Sequence, residues 1–264
     1  MLIYKLTFMK EGYIMCLILF AYNIHPKYRL IIAANRDEYY HRPTSSAHFW
    51  EDHPYILAGR DLLKKGTWMG VTRLGRFAAI TNYRNPTENI DGKYSRGDLV
   101  ADFLKEPYDP MKYLDSVKKE CELYPGFNLL VGDISELYYY SNIEDKITKV
   151  EPGIYGLSNH LLNTDWPKVK FGKKELTKII ENEKDLVEKL FELLQNTASA
   201  PDQLLPNTGV SLQLERMLAP LFIKSETYGT RSSTIILMTD EEIDFNERSY
   251  SKNGIENKHY KIYT

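Results

Sequence analysis

One cysteine of this chain follows a methionine in a way that could give it special chemistry. Met15-Cys16 begins an apolar segment that runs to Tyr22. If translation starts at Met15 and this methionine is removed, Cys16 becomes the N-terminal residue. Its thiol then lies beside a free α-amine, whose reference pKa of about 7.7–8.0 suits a general base. The pattern predicts an N-terminal-nucleophile hydrolase, whereas a chain that starts at Met1 makes Cys16 an ordinary buried strand residue.

The first 14 residues decide between these two interpretations. They are too short for a domain, and no small-residue cleavage site follows their apolar run, so they do not resemble a signal peptide. The codons for Lys10-Glu11-Gly12 can spell a purine-rich ribosome-binding sequence at a suitable distance before Met15. We therefore expect residues 1–14 to be an untranslated leader from a bacterial source. The alternative is a mobile N-terminal tail.

An arginine and an aspartate follow the second apolar segment, Leu30 to Ala34. Near a thiol, the guanidinium of Arg36 would lower the thiol pKa and hold the thiolate. Near an α-amine, the carboxylate of Asp37 would support the charged amine. The alternative is a polar turn with a surface ion pair, which contributes little stability.

Two asparagines and a second arginine also lie at the ends of strand-like segments. Asn82 follows Ala78–Thr81, and Asn159 follows Tyr155–Ser158. A well-placed amide NH₂ can stabilise an oxyanion by roughly 3–4 kcal/mol, although asparagine is also common in turns. Arg231 begins an apolar strand, and because a buried arginine is costly, it should face solvent or a polar pocket.

The elements that must position these residues can be read along the chain. Residues 16–23 and 28–34 predict a hairpin of strands buried on both faces, and a second hairpin turns at Gly75. Helices are expected from Ser95, after Pro110 and over 167–196, with a break near Asn182 and with a solvated lysine- and glutamate-rich face. Strands return at 127–131, 137–140, 147–150, 154–157 and beyond 232. Alternating groups of strands and helices predict one layered domain over residues 15–264.

Composition excludes several classes of function. The 264 residues carry a net charge of −2, which does not favour nucleic acid or an acidic membrane surface. No apolar run approaches the roughly 20 residues that span a bilayer. The two cysteines, Cys16 and Cys121, imply no disulfide framework, so we expect a soluble cytoplasmic protein. The histidine and cysteine spacings do not predict a metal site, and no cofactor-binding fingerprint occurs.

Several motifs in order resemble the NRDE family, also called the transport and Golgi organisation protein 2 family. The tetrapeptide that names it is intact as Asn35-Arg36-Asp37-Glu38. The resemblance extends from Met15 to near the C-terminus. Its other matches are Ala58-Gly59-Arg60-Asp61, Gly66-Thr67-Trp68-Met69-Gly70, Thr81-Asn82-Tyr83-Arg84, Ser95-Arg96-Gly97, Gly156-Leu157-Ser158-Asn159 and Thr230-Arg231-Ser232-Ser233.

The resemblance implies a four-layer αββα sandwich, an α+β fold with two antiparallel sheets between helices. More distantly, the pattern is similar to the choloylglycine hydrolase and penicillin V acylase group. The catalytic residues implied by that similarity are Cys16, Arg36, Asp37, Asn82, Asn159 and Arg231. Arg36 and Asp37 are adjacent, however, and should point to opposite faces of an extended strand. We therefore expect one of their two roles to be lost or to pass to Glu38.

The resemblance does not identify a single reaction, because eukaryotic members are linked to secretory organisation, lipid and acyl-coenzyme A metabolism, and haem trafficking. One hypothesis is a hydrolase that cleaves an amide or thioester bond of an acylated small molecule. The other is a non-catalytic carrier for a hydrophobic anion such as acyl-CoA or haem. A third interpretation is that the motifs only stabilise the fold. We expect a small acyl or hydrophobic anionic ligand as partner, and no cofactor.

Overall fold

Two antiparallel sheets face each other in the computed structural model, which describes residues 15–182 and 184–264. The predicted leader, residues 1–14, lies outside the described residues. The first sheet has six strands, in spatial order β10 (Gly153–Leu157), β1 (Cys16–Tyr22), β2 (Leu30–Tyr39), β11 (Tyr228–Met238), β12 (Glu242–Ser251) and β13 (Gly254–Tyr263). The second has seven, β3 (Thr44–Phe49), β4 (Ile56–Asp61), β5 (Met69–Thr72), β6 (Phe77–Asn82), β7 (Phe127–Gly132), β8 (Leu137–Ser141) and β9 (Lys146–Lys149).

Helices cover the outer face of each sheet. Helices α1 (Arg96–Lys105) and α2 (Pro110–Lys119) pack on the second sheet, whereas α3 (Pro167–Asn182), α4 (Leu186–Leu194) and α5 (Leu212–Leu218) belong to the helical layer on the first. The predicted αββα sandwich is therefore confirmed. Among the described residues, no helix is long and apolar enough to cross a membrane.

Strands β1 and β2 are buried on both faces, as their continuous apolar sequences predict. Ile18 and Phe20 point into the core between the sheets, and Leu17 and Leu19 point into the core beneath the helices. Because side chains alternate along a strand, this pattern fixes the direction of every polar residue that follows. Cys16 accordingly lies on the inter-sheet side.

The pairing of β2 with both its neighbours sets the positions of the polar residues. Cys16 of β1 is opposite Arg36 of β2, and Arg36 is opposite Ser232 of β11 on its other side. The register of β11 shifts between Thr230 and Ser232, so Arg231 is an extra residue at a β-bulge. Bulges redirect side chains, and this one turns the arginine toward the connection after β2.

Most predicted elements are confirmed, and three are missing from the prediction. The β1–β2 hairpin, the turn at Gly75 with φ +78, the helix after Pro110 and the helical break after Asn182 all occur. Strands β3 and β4 and helix α5 were not predicted. Strand β3 is polar and half-buried, and α5 has only seven residues, so neither has a sufficient periodic signal.

Candidate active site

A cavity of about 720 Å³ opens between the sheets where β1 begins and β2 ends. Cys16 forms part of its wall and is 5% exposed. The cavity has a mixed charge, with six carboxylate side chains among those that line it. Among the described residues, seven cationic side chains also line it: Arg36, Arg42, Arg60, Lys64, Lys93, Arg96 and Arg231.

Arg36 belongs to a chain of charged groups along this wall. Its Nη2 donates to Glu38 Oε2 at 3.2 Å, and the same carboxylate lies 3.7 Å from Nε of Arg42. Arg42 also pairs with Asp61 at 2.7 Å. Glu38 lies on the same side of β2 as Arg36, as the alternation along the strand requires. The arginine beside the thiol is therefore held in place by Glu38 and not by Asp37.

Asn159 fixes the backbone of Cys16. The Cys16 N–H donates to Asn159 Oδ1 at 3.1 Å, and Asn159 Nδ2 donates to the carbonyl oxygen of Asn82 at 3.0 Å. The Ser158 hydroxyl donates to the Cys16 carbonyl oxygen at 3.0 Å. Asn159 is fully buried and does not line the cavity, whereas Asn82 does. The structure thus brings both predicted asparagines to the cysteine, and only Asn82 faces the space that a substrate would occupy.

Asp37 lies on the other side of the sheet, beneath the helices. Its Oδ1 accepts a hydrogen bond from the Thr230 hydroxyl at 2.6 Å, and its buried Oδ2 has no hydrogen-bond partner among the described residues. Burial raises the pKa of Asp37 to about 7, although the charges of Lys168 and Arg36 and the Thr230 hydrogen bond oppose the shift. A carboxyl group with an unused oxygen therefore lies behind the start of β1.

A buried lysine accompanies this carboxyl group. Lys168, in the first turn of α3, is 4% exposed, and its Nζ donates to the Leu218 carbonyl oxygen at 3.1 Å. Burial lowers the pKa of Lys168, while the Asp37 charge opposes that shift. The lysines of this region were predicted to form a solvated face, and for Lys168 that prediction is wrong.

Met15 lies between Asp37 and the buried ion pair of Arg84 with Glu215. Its carbonyl oxygen accepts a hydrogen bond from the Asp37 N–H at 3.1 Å, and its N–H donates to the Tyr228 hydroxyl. Its sulfur contacts the guanidinium of Arg84, which pairs with Glu215 at 2.7 Å. The nitrogen of Cys16 is thus part of a buried peptide bond in this chain.

The thiol of Cys16 is strongly disfavoured as a thiolate in this state. Burial is the main cause that raises its pKa to about 12, and the Asp37 charge adds to the shift. The Asp37 backbone N–H and the Arg36 charge oppose it without cancelling it. While Met15 precedes it, Cys16 has neither a basic amine nor an accessible thiolate at neutral pH.

Arg231 mainly supports the wall of the cavity. Its Nη1 donates to the carbonyl oxygens of Tyr39 at 2.8 Å and of Arg42 at 3.2 Å, and its Nη2 donates to the Thr44 hydroxyl at 3.4 Å. These contacts hold the connection between β2 and β3. Arg231 lines the polar cavity, one of the two locations that the sequence allowed.

A sequence profile described as Transport and Golgi organisation 2 matches residues 15–252. The chain belongs to the transport and Golgi organisation 2 family. The Transport and Golgi organization protein 2 homolog of Homo sapiens is 39% identical over 258 residues, covering 89% of this chain and 93% of the relative. The Bos taurus homolog is 38% identical over 261 residues with the same coverage.

Solved structures resemble this member of the transport and Golgi organisation 2 family only distantly. A mutant conjugated bile acid hydrolase from Clostridium perfringens has a TM-score of 0.48 and 11% identity, with 92% of each chain covered. The prediction of a bacterial source is wrong. The matching curated family members come from Bos taurus, Mus musculus, Homo sapiens, Drosophila melanogaster and Saccharomyces cerevisiae, all of them eukaryotes. The tripeptide Lys10-Glu11-Gly12 was too short to carry that conclusion.

Within residues 15–182 and 184–264, no group of three or more His, Cys, Asp or Glu side chains is arranged to hold a metal ion.

Proposed function

We propose that this protein hydrolyses an amide or thioester bond of an acylated small molecule when Cys16 is its N-terminal residue. The observation that carries the proposal is the arrangement at Cys16. Its side chain reaches the cavity beside Arg36, while its backbone nitrogen is hydrogen-bonded to Asn159, which lies outside the cavity lining. A nucleophile and an anchored amine would then belong to one residue.

Removal of Met15 would supply the missing base. The Cys16 nitrogen would become an α-amine that keeps its hydrogen bond to Asn159 Oδ1, and the unpaired Asp37 Oδ2 lies behind it. A carboxylate near this amine stabilises the ammonium form. The same removal would place an ionisable amine on the residue whose thiol has the high pKa, and the charge of its ammonium form would stabilise the thiolate.

The proposed reaction uses this amine twice. The amine takes the thiol proton, and the sulfur attacks the acyl carbon to form a carbon–sulfur bond. The ammonium then returns the proton to the leaving nitrogen or sulfur as its bond to the acyl carbon breaks. Water attacks the resulting acyl thioester with the amine again as base, which releases the carboxylic acid and restores the thiol.

Two cavity residues would assist the charged states. Asn82 faces the cavity near Cys16, and its amide is suited to donate to the oxyanion. Arg36, held by Glu38, would stabilise the thiolate. Asp37 and Asn159 would position the amine, and Arg231 would hold the wall. Both cysteines are free thiols, which suits the reducing cytoplasm that we infer as the location.

A specific observation also favours the alternative of a carrier for a hydrophobic anion such as acyl-CoA or haem. With Met15 in place, the thiol has a pKa of about 12, yet the cavity remains open, and its described lining has seven cationic side chains against six carboxylates. In that form the protein could bind an anion without turnover. Binding that is unaffected by Cys16→Ser, together with no hydrolysis by any form of the chain, would favour the carrier.

The test compares three chains on a panel of simple amides and thioesters. One begins at Cys16 after cleavage from a fusion, one retains Met15, and one begins at residue 16 with Cys16→Ala. We expect turnover only in the first. Cys121→Ser in the first chain is the matched control and should keep full activity, because Cys121 is half-exposed and does not line the cavity. Equal turnover by the Cys16→Ala chain would refute the nucleophile.

A further inference from the structure

The floor of the cavity is a straight row of side chains across five strands. Neighbouring members of the row are cross-strand partners. In order they are Cys16 of β1, Arg36 of β2, Ser232 of β11, Ser249 of β12 and Glu256 of β13. All five residues line the cavity. Because neighbouring strands lie about 4.8 Å apart, the row extends roughly 19 Å from the thiol. The thiol is therefore at one end of a long groove.

The wall opposite this row is equally polar. It is formed by Thr44, Ser45 and Ser46 of β3, and the Ser46 hydroxyl donates to Glu256 Oε2 at 2.6 Å, which joins the two walls. The buried Ser45 hydroxyl has no hydrogen-bond partner among the described residues. We call the space between this wall and the row the polar arm. None of the described residues that line the polar arm is aliphatic, and the ring of Tyr250 lies on the other face of β12, where it packs on Phe222.

The apolar part of the cavity lies on the other side of Cys16. Asn159 joins the Cys16 nitrogen to the end of β6, and from there the wall continues through Ile80 and Trp68, whose backbones are hydrogen-bonded at 2.8 Å. The remaining carbon-rich lining residues on this side are Ile90, Tyr94 and Pro125, and the charged Lys93 and Arg96 line the cavity with them. Cys16 therefore lies between the polar arm and a compartment that contains the carbon-rich side chains of the cavity.

We propose that the ligand of this cavity has an extended portion that lies in the polar arm, from Cys16 toward Ser249. This portion is built from hydrogen-bonding amide or hydroxyl groups and not from an alkyl chain. The proposal deepens the proposed function and rests on it for the identification of the reactive end. An alkyl chain here would displace the water that hydrogen-bonds to these hydroxyl groups and would offer them no hydrogen bond in return, which is unfavourable. A chain of amides would satisfy them.

The test uses chloroacetamides, because they alkylate a thiol without turnover and have only one arm. The full chain is treated at pH 9 with chloroacetyl-Ser-Gly-Ser-Gly-amide, with an N-decyl chloroacetamide of similar length, and with chloroacetamide itself. Four extended residues span about 14 Å, the distance from Cys16 to Ser249. The modification of each cysteine is followed by peptide mass spectrometry. We expect Cys16 to react about tenfold or more faster with the peptide probe than with the decyl probe, since several hydrogen bonds are retained.

Internal and matched controls separate binding from general reactivity. Cys121 lies outside the cavity and should show no preference between probes. Ser249→Trp should reduce the rate of the peptide probe at Cys16 about tenfold by filling the arm, and leave chloroacetamide unchanged. Lys252→Trp, in the nearby β12–β13 turn, should have no effect. If Ser249→Trp lowers the melting temperature markedly, Ser45→Leu on the opposite wall replaces it.

The outcomes also distinguish this proposal from the proposed function. Equal rates with both long probes, or a faster reaction with the decyl probe, would overturn the polar arm even if the protein is a hydrolase. A preference for the peptide probe that disappears in Ser249→Trp would support it even if no hydrolysis is found.

Discussion

Cys16 should react slowly with alkylating agents as long as Met15 precedes it. At pH 7, a thiol with a pKa of about 12 is about 10⁻⁵ thiolate, whereas a free cysteine with a pKa near 8.5 is about 3% thiolate. The population ratio of roughly 3000 is partly offset, because a more basic thiolate is intrinsically more nucleophilic, with a Brønsted coefficient of about 0.4–0.5. That offset is about 40-fold. We therefore expect Cys16 to react about 100-fold more slowly than a cysteine in a short peptide.

The assay is the rate of iodoacetamide modification of Cys16 from pH 7 to 11, read by mass spectrometry in the Cys121→Ser chain. In the chain that retains Met15, the rate should still be rising at pH 11. In the chain that begins at Cys16, the rate should rise at a lower pH, because the new α-amine beside the thiol accepts its proton. Modification of the Met15-containing chain at the rate of the peptide thiol at pH 7 would refute the reasoning.

Three further changes test the packing behind the site, each by urea denaturation. Lys168→Met should cost about 1–2 kcal/mol at pH 8, because removing this cation raises the Asp37 pKa further, so the folded protein holds Asp37 neutral at a pH where the unfolded chain ionises it. Burial raises the Asp37 pKa to about 7, so the group is neutralised as the pH falls and the loss should shrink at pH 5; an equal loss at both pH values would contradict this. Arg84→Met should cost about 3–5 kcal/mol by leaving Glu215 unpaired, and a loss below about 1 kcal/mol would show that the pair is not buried in solution. Gly172→Ala should cost about 1–3 kcal/mol, since its new methyl group would lie 2.6 Å from a leucine of β1, and an unchanged stability would contradict that close contact.

The sequence was sufficient to predict the elements that carry Cys16 and Arg36. Two apolar runs joined by a short turn favour a hairpin, and the polar residues after the second run mark the place where it leaves the core. Adjacency along an extended strand also correctly predicted that Arg36 and Asp37 point to opposite sides, and the structure shows that Glu38 is the carboxylate beside Arg36.

The partners that come from elsewhere in the chain were not predictable in the same way. Lys168 is 131 residues from Asp37 in sequence, and a lysine in a lysine-rich helix gives no sign that it is buried. Strand β3, which closes the cavity, is polar because it faces the hydroxyl row, so it lacks the alternation that identifies strands. Asn159 was predicted as an oxyanion donor, yet its contacts hold the Cys16 backbone, because the pairing of β10 with β1 places it there.

The N-terminal residue of the natively expressed protein tests the central claim most directly. Intact mass and sequencing of the N-terminal peptide report it without any assumption about substrate. We predict a peptide that begins at Cys16 with a free α-amine. A native protein that begins at Met1 or keeps Met15 would contradict the proposed nucleophile, because its Cys16 nitrogen would be an amide that accepts no proton.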